Sequence, residues 1–155
     1  MEDIQKILFE ETTKISEPLL ITVVECSVKR GKNGSSILVV IEKEGGVTVN
    51  DCERVSRLLG SRIEVLELGG LENYNLQVTS PGIDRAFKDR REYNIFKSKK
   101  VKVVLRDPLE KKGGVQDNVL KGTLMGISDD IVKLERDDEV VSIHLRSIRR
   151  TKLDG

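Results

Sequence analysis

The stretch that decides the fold is Leu76-Gln77-Val78-Thr79-Ser80-Pro81-Gly82-Ile83-Asp84-Arg85. Its first four residues alternate between apolar and polar side chains, which is typical of a half-buried β-strand. Pro81 has no amide hydrogen to donate to a sheet and Gly82 can adopt a positive φ, so we expect the strand to end there. We therefore interpret four residues as a structural hinge motif between two domains: Ser80, Pro81, Gly82 and Asp84.

The two sides of this motif differ in charge. Residues 1–82 carry 9 Lys+Arg and 13 Asp+Glu, a net charge of −4, whereas residues 83–155 carry 18 and 13, a net charge of +5. A basic half attracts phosphate backbones or acidic protein surfaces. The charge distribution therefore favours a binding function for the second half of the chain.

Composition excludes several classes of protein. Of 155 residues, 37% are apolar and none is Trp, which favours small folded units over one large core. No run of 18 apolar residues is present, so no membrane span is predicted, and the acidic start is unlike a secretory signal. Cys26 and Cys52 have no C-x-x-C spacing and are interpreted as reduced thiols. We expect a cytoplasmic protein.

The first 82 residues predict an α+β domain. An amphipathic helix is expected over about residues 2–17, followed by strands over 19–28 and 36–42. Thr48 or Asn50 can cap a second helix, and residues 74–79 form the third strand. The order αββαβ indicates one mixed sheet with two helices on one face.

The remaining residues predict a linker and a barrel. Residues 83–98 are expected to be a linker with a short helical turn, in which Tyr93 and Phe96 are buried. Short strands follow within residues 99–155, at 100–106, 118–127, 131–135, 140–144 and 147–153. Their spacing and tight turns favour a small β-barrel that closes its own edges.

The sequence gives little sign of catalysis. His144 is the only histidine, and no G-x-S-x-G, P-loop or metal-type His/Cys cluster is present. We predict that the chain is not an enzyme and has no cofactor or metal. One alternative stays open, a metal-dependent phosphodiesterase that uses the acidic turns at Asp129 and Asp137.

The candidate binding residues are a basic run in the linker and at the entry of the barrel: Arg85, Lys88, Arg90, Arg91, Lys97, Lys99 and Lys100. Such a run can neutralise several phosphates, although a solvated linker explains it equally well. A second basic cluster near the C-terminus, Arg146, Arg149 and Arg150, is interpreted as an exposed face. Gly31-Lys32-Asn33-Gly34 matches the G-x-x-G loop of KH domains, but here it joins two predicted strands and is read as a hairpin turn.

Two of these stretches resemble the ribosome maturation factor RimP family. They are the helix entry GGVTVNDCERVSR at residues 45–57 and the strand and turn LQVTSPGIDR at residues 76–85. The chain departs from the family's usual pattern at Ala86-Phe87, where Pro-Leu is customary. The resemblance implies an N-terminal KH-like domain, a C-terminal SH3-like barrel and a non-enzymatic role in assembling the small (30S) ribosomal subunit.

The resemblance also implies the partners, which are ribosomal RNA and a small-subunit ribosomal protein within an immature subunit. On this hypothesis the chain is a monomer, Arg85, Lys88, Arg90 and Arg91 contact RNA phosphate or an acidic partner surface, and Asp84 holds Arg85 in place. A general single-stranded RNA-binding chaperone with an Sm- or SH3-like barrel remains the alternative function.

Overall fold

A computed structural model of the chain describes residues 2–71, 73–110 and 116–155. The chain divides into two compact units, Met1–Pro81 and Gly82–Gly155.

The first unit has the predicted αββαβ order. Helix α1 spans Glu2–Ser16 and helix α2 spans Val49–Leu66, while the strands are β1 Ile21–Gly31, β2 Gly34–Lys43 and β3 Tyr74–Thr79. Strand β2 is central, antiparallel to β1 and parallel to β3. The predicted mixed sheet is therefore confirmed.

Local chemistry explains where α2 begins. The Thr48 side chain accepts a hydrogen bond from the Asp51 amide at 3.1 Å, and the Asp51 carboxylate accepts one from the Thr48 amide at 2.9 Å. This reciprocal capping box satisfies two amide groups that have no partner inside the helix. The helix then buries Val55, Leu59 and Ile63, at helical spacing, in the core of the sheet.

The G-x-x-G stretch is the hairpin turn that the sequence predicted. Gly31 pairs with Gly34 at the ends of β1 and β2, so that Lys32 and Asn33 alone form the turn. Gly34 adopts a φ of +131°, and a Cβ there would lie 2.4 Å from the Asn73 carbonyl oxygen. Any other residue at this position would be strained and would clash with the backbone.

The second unit contains an open antiparallel sheet. Its strands are β4 Lys100–Glu110, β5 Gln116–Ser128, β6 Ile131–Arg136, β7 Glu139–His144 and β8 Ile148–Leu153, in the spatial order β7-β6-β5-β4-β8. A short helix α3, Glu92–Ile95, precedes them. Strands β4 and β5 extend beyond the predicted bounds of 100–106 and 118–127 into the segment between them, of which residues 111–115 lie outside the described residues.

The prediction that the barrel closes its own edges is wrong. Among the described residues no strand pairing joins β7 to β8. The outer edge of β8 instead pairs with the chain just after the hinge motif, where Ala86 forms a bridge with Lys152 and the Phe87 amide donates to the Thr151 carbonyl at 2.8 Å. The segment predicted as a linker thus occupies the edge that closure would have used.

Candidate functional site

The hinge motif lies at the boundary of the two units. Strand β3 ends at Thr79, and the units divide between Pro81 and Gly82. The Gly82 carbonyl accepts a hydrogen bond from the Arg85 amide at 3.1 Å, which closes a turn around Ile83 and Asp84. Gly82 does not adopt the positive φ that is open to a glycine, because it is not among the residues in the left-handed region. Ser80 and Asp84 are exposed to solvent.

The segment after the hinge is organised around a buried carboxylate. The Glu92 side chain is 0% exposed and accepts three hydrogen bonds, from Arg85 Nε at 2.6 Å, from the Lys88 amide at 2.8 Å and from the Asp89 amide at 3.1 Å. Buried charges are stable when they are paired and hydrogen-bonded in this way. Glu92 therefore fixes the path of residues 85–92.

This arrangement assigns Arg85 a place inside the unit. Its side chain is only 9% exposed, and the Glu92 carboxylate lies against it. Glu92 is not recognisable from the sequence as a buried residue, because an acidic residue in a basic run gives no signal of burial. Lys88, Arg90 and Arg91, by contrast, are exposed.

Two of these exposed cations are paired with nearby acids. Arg90 forms an ion pair with Asp130, and both side chains are about half exposed, at 54% and 50%. Arg91 lies 3.7 Å from the Asp89 carboxylate, which also accepts the Arg91 amide at 2.8 Å. Exposed ion pairs of this kind contribute about 0–1 kcal/mol, so a phosphate can replace the acid at little cost.

The structure brings the first basic run together with the second. Lys88 and Arg90 line a shallow depression of about 190 Å³ whose other wall carries Arg149 and Arg150, from β8. The sequence favours an exposed face for these two arginines and gives no indication that they share a surface with Lys88. No local signal could have given one, since the contact depends on pairing between segments that are more than 60 residues apart.

The floor of this depression is apolar core. Phe87 and Tyr93 pack edge to face with ring centroids 5.0 Å apart, and Phe87 lies 5.3 Å from the fully buried Phe96. The Tyr93 hydroxyl is 2.7 Å from Thr151 Oγ1, and burial raises the pKa of Tyr93. The expectation that Tyr93 and Phe96 are buried is confirmed, so these rings support the site and do not offer stacking surfaces.

The remaining predicted site residues lie outside this depression. Lys97, Lys99 and Lys100 are exposed around the start of β4. Lys100 lines a different depression that contains both Lys121 and the acid Asp137. The basic run predicted from the sequence is therefore divided over two surfaces of mixed charge composition.

The acidic turns do not form a metal centre. Asp129 and Asp130 join β5 to β6, Asp137 and Asp138 join β6 to β7, and all four have positive φ, as two-residue hairpin turns require. The two turns lie at opposite ends of the six-residue strand β6, roughly 20 Å apart, too far to share one ion. Within the part of the chain that the structure describes, no group of three His, Cys, Asp or Glu side chains could hold a metal.

His144 also has a local role. Its Nδ1 accepts a hydrogen bond from the Arg146 amide at 3.2 Å, at the start of the short 3₁₀ turn Leu145–Ser147 that leads from β7 to β8. The ring therefore helps to shape the connection that leads to the depression.

Two further findings concern the chain as a whole. None of the helices in residues 2–71, 73–110 and 116–155 has both the length and the apolar character needed to cross a membrane. Residues 12–84 match the family model described as the RimP N-terminal domain. The match covers the first stretch on which the resemblance was based, residues 45–57 at the entry of α2, and the second, strand β3 with its turn, up to residue 84.

Proposed function

We propose, from the match of residues 12–84 to the RimP N-terminal domain, that the chain works as a member of the RimP family, as a non-enzymatic maturation factor for the immature small ribosomal subunit. Its contacts would be with ribosomal RNA and one small-subunit ribosomal protein. It would work as a cytoplasmic monomer without a cofactor. The family match carries this proposal, and the exposed cations of the second unit are the structural support for it.

The finer fold labels belong to the same proposal. The αββαβ order of the first unit supports a KH-like fold, and the five short antiparallel strands of the second support an SH3-like sheet without full closure. The KH likeness is one of shape, because the G-x-x-G stretch forms a β-hairpin and not the loop between helices that clamps nucleic acid in KH domains.

We assign the binding contacts by exposure. The Glu92 carboxylate accepts the Lys88 and Asp89 amides, and Asp89 accepts the Arg91 amide. The backbone that carries Lys88, Arg90 and Arg91 is therefore already ordered, and their exposed charges are presented without a large entropic cost of ordering it. Arg85 acts as the internal support of this segment. Lys97, Lys99 and Lys100 would form a second, weaker contact.

Charge reversal tests the assignment. We expect Lys88→Glu with Arg90→Glu to abolish co-sedimentation with small-subunit precursors at physiological salt, because each change replaces an attraction to phosphate by a repulsion. Arg54→Glu with Arg57→Glu is the matched control, since both arginines are exposed on α2 and line neither depression. Precursors from cells that lack the chain are the appropriate particles.

Two outcomes would contradict different parts of the proposal. Co-sedimentation of the Lys88/Arg90 variant at the level of the control would show that the site is placed wrongly. Failure of the unaltered chain to bind any small-subunit precursor would contradict the proposed function itself.

The exposed cation cluster also favours a second candidate, a general single-stranded RNA chaperone. That function predicts tight, steeply salt-dependent binding to naked RNA, whereas a maturation factor should prefer the partly assembled particle. A competition between naked RNA and precursor particles for the same labelled chain distinguishes the two.

A further inference from the structure

Strand β8 contains an irregularity that changes the direction of its side chains. Val104 pairs with Arg150 and the next residue, Leu105, pairs with Ile148, so Arg149 is an additional residue with no partner on β4. This is a β-bulge. It shifts the alternation of the strand, so that Ile148 and Thr151 are both buried while the two residues between them are both exposed.

The bulge has a consequence for charge. In a regular strand, adjacent residues point to opposite faces, and one of the two arginines would have to enter the core. The extra residue lets Arg149 and Arg150 face solvent together, in the wall of the depression that also contains Lys88 and Arg90. Bulges are enriched where a protein re-aims a side chain for a function.

Cations are the largest group in the lining of the depression, since Lys88, Arg90, Arg149 and Arg150 make up four of its ten residues. The Tyr93 hydroxyl is occupied by Thr151 in the buried interior, and the Lys88 and Asp89 amides are directed to Glu92. Asp89 is the one acidic residue in the lining, and it lies against Arg91. Base recognition requires hydrogen-bonding groups or exposed rings, whereas a phosphate needs only positive charge and donors.

We propose that this depression is a binding site for the ribose-phosphate backbone of RNA, in which Arg149 and Arg150 act together with Lys88 and Arg90 and read no base sequence. The inference rests on the proposed function and extends it to two residues and to a mode of recognition. The two arginines of β8 and the two cations of the segment after the hinge contact the phosphates of the same stretch of RNA.

Salt dependence measures the number of phosphates that are contacted. For single strands, the slope of log K against log salt is about −0.7 per phosphate, so the loss of two contacts in Arg149→Ala with Arg150→Ala should flatten the slope by about 1.4. The same relation predicts binding about 25-fold weaker at about 0.1 M salt and about fivefold weaker at about 0.3 M salt. The probe is a short fluorescein-labelled single-stranded RNA of mixed sequence, followed by anisotropy with the full chain.

Two further variants control for charge and folding. Arg54→Ala with Arg57→Ala removes the same total charge at two exposed positions of α2, outside both depressions, and should change the slope little. Arg149→Lys with Arg150→Lys keeps the charge and should retain the slope, with at most a modest loss of affinity because the planar guanidinium is lost. Circular dichroism should be unchanged for all of them, since all four side chains are exposed.

Several results would overturn the proposal. The first is equal slopes for the Arg149/Arg150 and Arg54/Arg57 alanine variants, and the second is no measurable binding of RNA by the unaltered chain at low salt. The others are a strong preference between two RNAs of unrelated sequence and tighter binding of an oligoglutamate peptide than of RNA. The last result would mean that an acidic protein is the ligand. Loss of precursor binding without a change in RNA slope would leave the proposed function standing and remove only this inference.

Discussion

Glu92 provides the sharpest test of how the second unit is built. Substituting it by Gln keeps the shape of the side chain and one acceptor oxygen, but it removes the negative charge next to Arg85. The remaining oxygen can still accept the Lys88 and Asp89 amides. The variant therefore isolates the contribution of the ion pair from that of the backbone hydrogen bonds.

The expected loss is large because both partners are removed from water. Deleting one member of a buried ion pair costs about 3–5 kcal/mol, and we expect about 3 kcal/mol for Glu92→Gln because Arg85 retains slight exposure. Glu92→Leu also leaves the two amides without an acceptor and should cost roughly 2 kcal/mol more. Combining Glu92→Gln with Arg85→Met should cost less than the sum of the single changes, with a coupling of about 2 kcal/mol.

Tyrosine fluorescence allows the second unit to be followed alone. The chain has two tyrosines and no tryptophan, so in a Tyr74→Phe background only Tyr93 reports, from within the affected region. Urea unfolding of this background with and without the Glu92 changes gives the free energies. A loss below about 0.5 kcal/mol for Glu92→Gln, the size of an ordinary surface change, would refute the view that this carboxylate organises the segment.

Three further predictions concern other parts of the chain. Thr48→Ala should lower the free energy of unfolding of the first unit by about 1 kcal/mol through loss of the N-cap. The backbone hydrogen bond from Thr48 holds the pKa of Asp51 below its usual value, so the free energy of unfolding should also fall as acid protonates this carboxylate. Asp51→Asn should remove that acid dependence in urea titrations at several pH values. Burial raises the pKa of Cys26 to about 12 from 9.0, so this thiol ionises at lower pH in the unfolded chain than in the folded one. Between about pH 9.5 and 11, the free energy of unfolding measured in urea should therefore fall by about 1.4 kcal/mol per pH unit more for the unaltered protein than for Cys26→Ala. Parallel plots of this free energy against pH for the two proteins would contradict this. Gly126 has a φ of +118°, and a Cβ there would lie 2.7 Å from Asn94 Oδ1 and from Lys97 Cε. Gly126→Ala should therefore lower the free energy of unfolding by about 2 kcal/mol, as measured by thermal unfolding. An unchanged midpoint temperature would mean that both side chains move away freely.

The sequence predicted well those features whose signals are local. The alternation before Pro81 and the helical spacing of Val55, Leu59 and Ile63 depend on residues within one element, and the structure confirms the strand and the helix. The same holds for the hairpin turn at Gly31–Gly34, because two residues between alternating strands leave few other conformations.

Prediction failed where distant segments meet. Closure of the barrel was expected because five short strands with tight turns are typical of closed sheets, but that pattern does not say which segment takes the last free edge. Residues 85–87 take it along β8 through the bridge between Ala86 and Lys152. The burial of Arg85 follows from the same pairing and from its ion pair with Glu92, and neither contact can be predicted from the local sequence.

The same edge explains why the charged surface is where it is. Because the chain runs along β8 immediately after the hinge, Lys88 is brought beside a strand whose bulge turns Arg149 and Arg150 outward. A closed barrel would have paired this edge with β7 and left residues 85–91 without a partner in the sheet. Such a segment would have to be ordered at the moment of binding, at a cost that reduces affinity. The open sheet thus offers a physical reason why a run of basic residues next to a hinge can bind in a defined geometry, provided that its backbone is fixed before the ligand arrives.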